Sequence, residues 1–264
     1  SNKAKNEIME FIFGYLYVDG NSAESIYEYF YEQFNYSEIP SNSRIIAEHY
    51  SDEKSRRKYV IFHTLFGRRI NDCLSRAVAF AIARAYHRDV EVGINDNGFY
   101  VGSDKSVNVI HALGLVKSKD MRKVMDMAIE NSEILKRRFR HCASRAMMIL
   151  RNYKGHQKRV GRQQVSSMIL LNAVRQIDAN FCILKEARRE VLEDLMDIEN
   201  TTKVIDGMEK KMIDLKETHT SMPSPFAFYL VLQGFTDIMK IEDKTEFIKR
   251  MHEQVMAKIK MGKG

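Results

Sequence analysis

The chain has 264 residues, 44% of them hydrophobic, and a formal net charge of +7 from 42 Lys and Arg against 35 Asp and Glu. That length can bury one large core or two small ones, and no apolar run approaches the roughly 18–20 residues of a membrane helix. The polar start "SNKAKNEIME" is not a signal peptide, and Cys73, Cys142 and Cys182 are odd in number and far apart, which argues against a disulfide framework and a zinc site.

In chain order, "NEIMEFIFGYLY" and "SAESIYEYFYEQF" read as two short amphipathic helices, separated at Gly20 and Asn21, with Ser22 and Ser25 offering capping oxygens. Tyr27, Phe30, Tyr31 and Phe34 recur at helical spacing. The stripe reads first as core packing, with base stacking on a single strand as the alternative. The pattern then turns to β. "SRIIAEHY" and "RKYVIFHT" flank the polar turn "SDEKSR", and "DVEVGI" and "FYVGS" flank "NDNG". Asn97-Gly98 is a strong hairpin signal, because Gly accepts the positive φ of a tight primed turn.

Between the hairpins, Ile70, Leu74, Ala77, Val78, Ala81, Ile82 and Ala85 trace one apolar face of a long crossover helix. From Ser106 onward the chain reads helical. Leu135, Phe139, Cys142, Ala146 and Ile149 form a narrow seam, with Arg137, Arg140 and Arg151 on the opposite face. Arg138 and Arg145 share one edge of the seam, so their stems are expected to pack while their heads reach a partner. "RNYKGHQKRVGR" reads as an exposed basic loop, and helix resumes at "QQVSSMILLNAVRQI". Two more helices follow in "FCILKEARREVLEDLMDI" and "NTTKVIDGMEKKMIDL". "LKETHTS" reads as a returning strand, and "DKTEFIKRMHEQVMAKI" as a closing helix. The expected fold class is α+β: predominantly helical, with a small antiparallel sheet or barrel built from hairpins and flanked by helices.

From Ile134 to Ile177 there is no Asp or Glu, while eleven Lys and Arg fall within it. The whole basic excess therefore lies in one segment, which points to a polyanionic partner. The expected phosphate contacts are Arg137, Arg140, Arg145, Arg151, Lys154, Lys158, Arg159 and Arg162, joined by Arg68 and Arg69 at a strand-to-helix junction where backbone N–H groups point outward. Solvated surface charge is the plainer reading of that last pair. No glycine-rich phosphate loop occurs, so ATP binding of that type is not encoded, and the histidines are too scattered for a metal site. Asp96 at a hairpin tip has the chemistry of a general base if a pocket covers it. Turn chemistry accounts for it more simply.

Six segments in this order, "IPSNSRIIAEHY", "YVIFHTLFGRRINDCLSRAVAFAIA", "VEVGINDNGFYV", "RFRHCASRAMMILRNYKG", "ILKEARREVLEDLMDI" and "SPFAFYLVLQGFTDIMKIEDKTEFIKRMHEQV", resemble the region downstream of the motor in large helicase-related (Lhr) proteins of superfamily 2, and the archaeal branch more than the bacterial one. The likeness covers roughly residues 36–258. The family's His-x-x-Phe-Gly-x-Arg pattern falls on His63, Phe66, Gly67 and Arg69, and its Phe-Arg-x-x-Ala/Cys-x-Arg pattern on Phe139, Arg140, Ala143 and Arg145. Departures are Thr64-Leu65 where many relatives carry Ser-Pro, Asp96-Asn97-Gly98 at the turn, Ala187-Arg188 before the Arg-Glu pair, and the lack of any Trp for strand stacking.

The resemblance implies an ATP-driven 3′-to-5′ translocase with two RecA-like motor domains, a winged helix, and then this module, the DEAD/H-associated region. Residues 1–35 would be winged-helix end or linker, and 36–264 the module. The expected partners are single-stranded DNA or RNA, DNA/RNA duplexes, and the motor and winged-helix domains of the same polypeptide. The chain would hold no cofactor, ATP and Mg belonging to the absent motor, and would show no activity alone. No membrane is implied and the setting is cytoplasmic. The alternatives are a protein-docking module of a larger nucleic-acid-processing assembly, and a strand-cleaving or base-excision enzyme using Asp96.

Overall fold

The computed structural model describes residues 2–52, 57–105, 107–150, 152–157, 159–235, 249, 252, 253 and 255–257. In chain order the elements are α1 (Asn2–Tyr15), α2 (Gly20–Tyr36), β1 (Arg44–Asp52), β2 (Arg57–His63), α3 (Arg68–Tyr86), β3 (Glu91–Asn95), β4 (Gly98–Ser103), α4 (Val109–Leu115), α5 (Met121–Ile129), α6 (Glu133–Arg145), β5 (Asn152–Tyr153), β6 (His156–Gln157), α7 (Val160–Ile177), α8 (Cys182–Arg189), α9 (Ile198–Glu209), β7 (Asp214–Thr220) and α10 (Pro225–Phe235). They form two compact units, each interrupted in sequence. The first is Ser1–Leu65, Gly93–Ser106 and Asp214–Gly264, and the second is Phe66–Val92 and Val107–Ile213.

The first unit is built on a sheet of order β3-β4-β2-β1-β7. β1 and β2 pair antiparallel, with Tyr50 opposite Tyr59, and β2 and β4 do the same, with Phe62 opposite Phe99. β7, the strand expected at "LKETHTS", runs parallel to β1, with Arg44 opposite Asp214. The α+β class holds, but the sheet is mixed and open rather than antiparallel or a barrel. The parallel partner comes from far along the chain, Asp214–Thr220 beside Arg44–Tyr50, beyond the reach of any hairpin rule. One face packs on α10, where Tyr50, Tyr59, Ile61 and Tyr100 join Ala227, Leu230 and Val231 in a single buried cluster. Each such side chain contributes about 1.5–3 kcal/mol on burial.

Two local expectations change. α2 begins at Gly20 itself, and its cap is Asp19, whose Oδ1 accepts from the Ser22 amide at 2.7 Å. Asp19 has the extended backbone of a cap residue, while Ser22 and Ser25 already lie inside the helix, where Ser25 Oγ bonds back to the Asn21 carbonyl. The β3–β4 turn is Asp96-Asn97, and Gly98 is already strand. Its bare Cα is required by close approach, since a Cβ there would run into the Phe62 carbonyl of the neighbouring strand.

A buried polar knot ties this unit together. Glu48 and His63 are at most 2% exposed, with His63 Nε2 2.8 Å from Glu48 Oε2. The same carboxylate accepts from the Ser224 amide at 2.7 Å, Ser224 Oγ at 2.6 Å and Thr220 Oγ1 at 2.8 Å. It thus joins β1, β2 and the turn that leads into α10. Buried charge persists only when so satisfied.

In the second unit α3 buries Leu74, Ala77, Val78 and Ile82 as the periodicity requires, while Ala85 is exposed. α6 starts behind Ser132, whose Oγ accepts from the Leu135 amide at 3.3 Å. It stops at Arg145, where the chain turns back through Met147 at φ 56°. Ile149 is therefore buried by this reversal rather than by helical spacing, and Ala146 is exposed. The loop of "RNYKGHQKRVGR" contains a two-strand hairpin, β5–β6, turning at Lys154 and Gly155 with φ of 49° and 76°. That pair of left-handed residues is a primed turn. α7 accordingly starts at Val160. The helix expected over "NTTKVIDGMEKKMIDL" ends at Glu209, because Lys211 adopts φ 59° and Asp214 enters β7. The turn at 53–56 and most of the closing helix at 243–259 lie outside the described residues. No described helix is long and apolar enough to cross a membrane.

Candidate nucleic-acid interface

The acid-free segment folds into α6 and α7, which pack side by side in the second unit. Burial of Leu135, Phe139, Cys142 and Ala143 turns the opposite face of α6 outward. There Arg137 and Arg140, with Glu133, Lys136, Gln164, Ser167 and Met168, line a pocket of about 240 Å³. Lys136 is neutralised by Glu133 at 2.6 Å. Among the described residues, Arg137 and Arg140 have no carboxylate partner, and neither do Arg159 and Arg162 at the start of α7. Lys154 stands exposed on the hairpin turn. Arg151 and Lys158 lie outside the described residues.

The remaining cations of the segment are held internally. Arg138 and Arg145 both reach Glu190, whose side chain is only 6% exposed, Arg138 at 3.5 Å and Arg145 more closely. Arg175 pairs with Glu130 at 3.0 Å, and Arg188 joins the same carboxylate at 2.9 Å. The partner expected for Arg138 and Arg145 is thus a carboxylate of the same unit. Glu190 opens a π-helical turn, Glu190–Leu195, in which the Met196 amide bonds back five residues to the Val191 carbonyl at 2.9 Å. Arg69 closes the end of that turn, donating to the carbonyls of Glu193 and of Met196, the latter at 3.0 Å. Arg68, beside it, is exposed in the first turn of α3, behind Gly67 at φ 83° with no side-chain cap. The two junction arginines therefore have different surroundings: one head is bound to protein backbone and the other faces solvent.

His141 reports the potential of this face. Its pKa lies below the ordinary 6.5, through partial burial first and then through Arg140, Arg138 and Arg145. Asp96 stands exposed on its turn, and among the described residues no group of His, Cys, Asp and Glu is arranged to hold a metal ion. The residues that sequence reasoning passed over are Glu190 and Glu130. Their signal was indirect: arginines with packed stems in a segment without acids require carboxylates from elsewhere.

Residues 39–227 match the family model described as DEAD/H associated. The chain is similar to the ATP-dependent helicase Lhr-Core of Methanothermobacter thermautotrophicus, 50% identical over 98% of this chain and 30% of that protein. It is also similar to the Lhr-Core of Saccharolobus solfataricus, 38% identical over 95% of this chain and 29% of that protein. It spans about 30% of the length of these curated relatives. Among solved structures, Mycobacterium smegmatis helicase Lhr bound to ssDNA and AMP-PNP is similar with a TM-score of 0.71 and 25% identity, over 80% of this chain and 27% of that one. With a family match that takes in well over half of its residues, the chain belongs to the DEAD/H associated family, the region it shares with the archaeal Lhr-Core helicases.

Proposed function

We propose that the chain is the strand-gripping accessory part of an ATP-dependent Lhr-type helicase. Residues 1–35 are the end of, or link from, a winged helix, and 36–264 the gripping module. The RecA-like motor, with its ATP and Mg²⁺, lies on the rest of the polypeptide. One observation carries the reading: within the acid-free segment Arg138, Arg145 and Arg175 are held by Glu190 and Glu130, whereas among the described residues Arg137 and Arg140 on α6 and Arg159 and Arg162 at the start of α7 meet no carboxylate. Such guanidiniums suit phosphate oxygens, which accept paired N–H donors. They would hold the sugar–phosphate backbone of the tracking strand while the motor steps, with Arg68 and Lys154 as further contacts. Arg69 and Arg145 would act from behind, shaping the π-helical turn and the edge of α6. Backbone contacts set grip and carry no sequence preference, so single-stranded DNA and RNA are both suitable ligands. That the similar M. smegmatis helicase was solved with ssDNA supports the reading.

The test is the salt dependence of single-strand binding. Each lost phosphate contact lowers the slope of log K against log salt by about 0.7. Reversing Arg159 and Arg162 to Glu is expected to flatten the slope by about 1.4. Tight binding that ignores salt contradicts the reading.

A further inference from the structure

Residues 6–43 are the converse of the acid-free segment. They carry Glu7, Glu10, Asp19, Glu24, Glu28, Glu32 and Glu38, and no Lys or Arg. This run forms most of α1 and all of α2; Lys5, in the first turn of α1, pairs with Glu24 at 2.6 Å and lies over the Tyr27 ring. Several large rings of the run face outward. Phe11 is 62% exposed, Tyr15 78% and Phe34 70%, while Ala23 and Gln33 take the buried positions of α2. The aromatic stripe of α2 that reads as core packing is largely surface: Phe30, Tyr31 and Phe34 are exposed, although Phe30 meets Phe226 of α10 edge to face with centroids 5.2 Å apart and Tyr27 is half-buried. Phe11 and Tyr15 sit together with ring centroids 4.5 Å apart. Glu24 and Glu28 each stand three residues before a ring of the stripe, Tyr27 and Tyr31, and so share its edge, with Glu32 next along the same acidic row.

Exposed apolar surface of this kind marks an interaction site. Its charge decides the class of partner. Stacking on a nucleic-acid strand needs a cationic track beside the rings; here Lys5 is already held by Glu24, and the carboxylates of α1 and α2 outnumber Lys3 and Lys5 and repel phosphate. A protein surface bearing Lys or Arg among apolar side chains satisfies both features: its cations meet the carboxylates and the ring faces, and its apolar groups cover the rings.

The extent of the matches indicates where that surface lies. The family model begins at residue 39 and leaves α1 and α2 outside, whereas the M. thermautotrophicus Lhr-Core match takes in 98% of the chain and so includes most of them. These helices go with the longer helicase rather than with the DEAD/H associated region itself. We infer that the acidic aromatic face of α1 and α2 docks a basic, apolar protein surface on the part of the Lhr-type polypeptide outside these 264 residues.

The inference rests on the reading that the chain works within such a polypeptide. The experiment places p-benzoylphenylalanine at Phe11 or, separately, at Phe34 of the full-length protein, irradiates equal mixtures of isotopically light and heavy protein, and maps the linked peptides by mass spectrometry. The expected result is a cross-link within one polypeptide to a Lys- or Arg-bearing segment outside these residues, with its yield lowered at least fivefold by Glu28→Lys with Glu32→Lys. Mixed light–heavy links to a second copy, links to added single-stranded DNA, or no links at either position overturn it. The strand-gripping reading fails separately, by a flat salt slope with these cross-links intact.

Discussion

The carboxylate of Glu48 lies 2.8 Å from His63 Nε2 and takes three further hydrogen bonds from Ser224 and Thr220, wholly shielded from water. Burial by itself would raise its pKa. Donation from His63 and Ser224 outweighs that and holds the group below the ordinary 4.5. A carboxyl depressed on folding contributes stability that is fully present above its unfolded pKa and is lost as pH falls through the folded value. Glu48→Gln is expected to cost roughly 3–5 kcal/mol at pH 7, as when one member of a buried ion pair is removed. Urea melts at pH 7 and at pH 3.5 check it: acid should weaken the wild type more than the variant, and parallel losses would exclude this knot as the acid-labile element.

Arg68 and Arg69, adjacent in sequence, are expected to separate by experiment. Arg69→Ala strips two carbonyls at the end of the π-helical turn of their donor, at about 1–3 kcal/mol. For a chain of this size that lowers Tm by roughly 2–4 °C per kcal/mol. Arg68→Ala should leave Tm unchanged and weaken single-strand binding. Thermal melts beside anisotropy titrations decide; equal effects of the two on stability would be against the assignment.

Glu190 neutralises Arg138 and Arg145 on one edge of α6. Glu190→Gln is therefore expected to destabilise the second unit while releasing positive charge. Strand binding should tighten at low salt, and the slope of log K against log salt should steepen by about 0.7 for each guanidinium that gains a phosphate. Anisotropy across a KCl series on the folded fraction is the measurement. An unchanged slope would mean that neither head reaches the strand.

His141 is held below its usual pKa in part by Arg140, Arg138 and Arg145. A phosphate backbone seated on α6 offsets those charges and favours the imidazolium, so the His141 pKa should rise when an oligonucleotide binds. The ring-proton chemical shift followed against pH, with and without a single strand, tests this. No shift on saturation would place the strand away from α6.

Local pattern carried much of this molecule. The seam of α3, that of α6 through Leu135, Phe139 and Cys142, and the β1–β2 and β3–β4 hairpins follow from spacing between near neighbours, because helix and strand periods are properties of the backbone itself. The basic excess of residues 134–177 is read from composition alone. Where elements end depended on single left-handed residues, Met147 and Lys211, that no composition rule marks. The open mixed sheet, the polar knot around Glu48 and the division of the arginines into held and unheld depended on partners distant in sequence. Glu190 lies 45 residues beyond Arg145, and Ser224 lies 176 beyond Glu48. The ring stripe of α2 shows the limit most plainly: periodicity determined that Phe30 and Phe34 share a face, and only the fold decided that this face meets solvent. A repeat in sequence states which side chains point together, whereas what lies opposite them is set by chain closure over long distances.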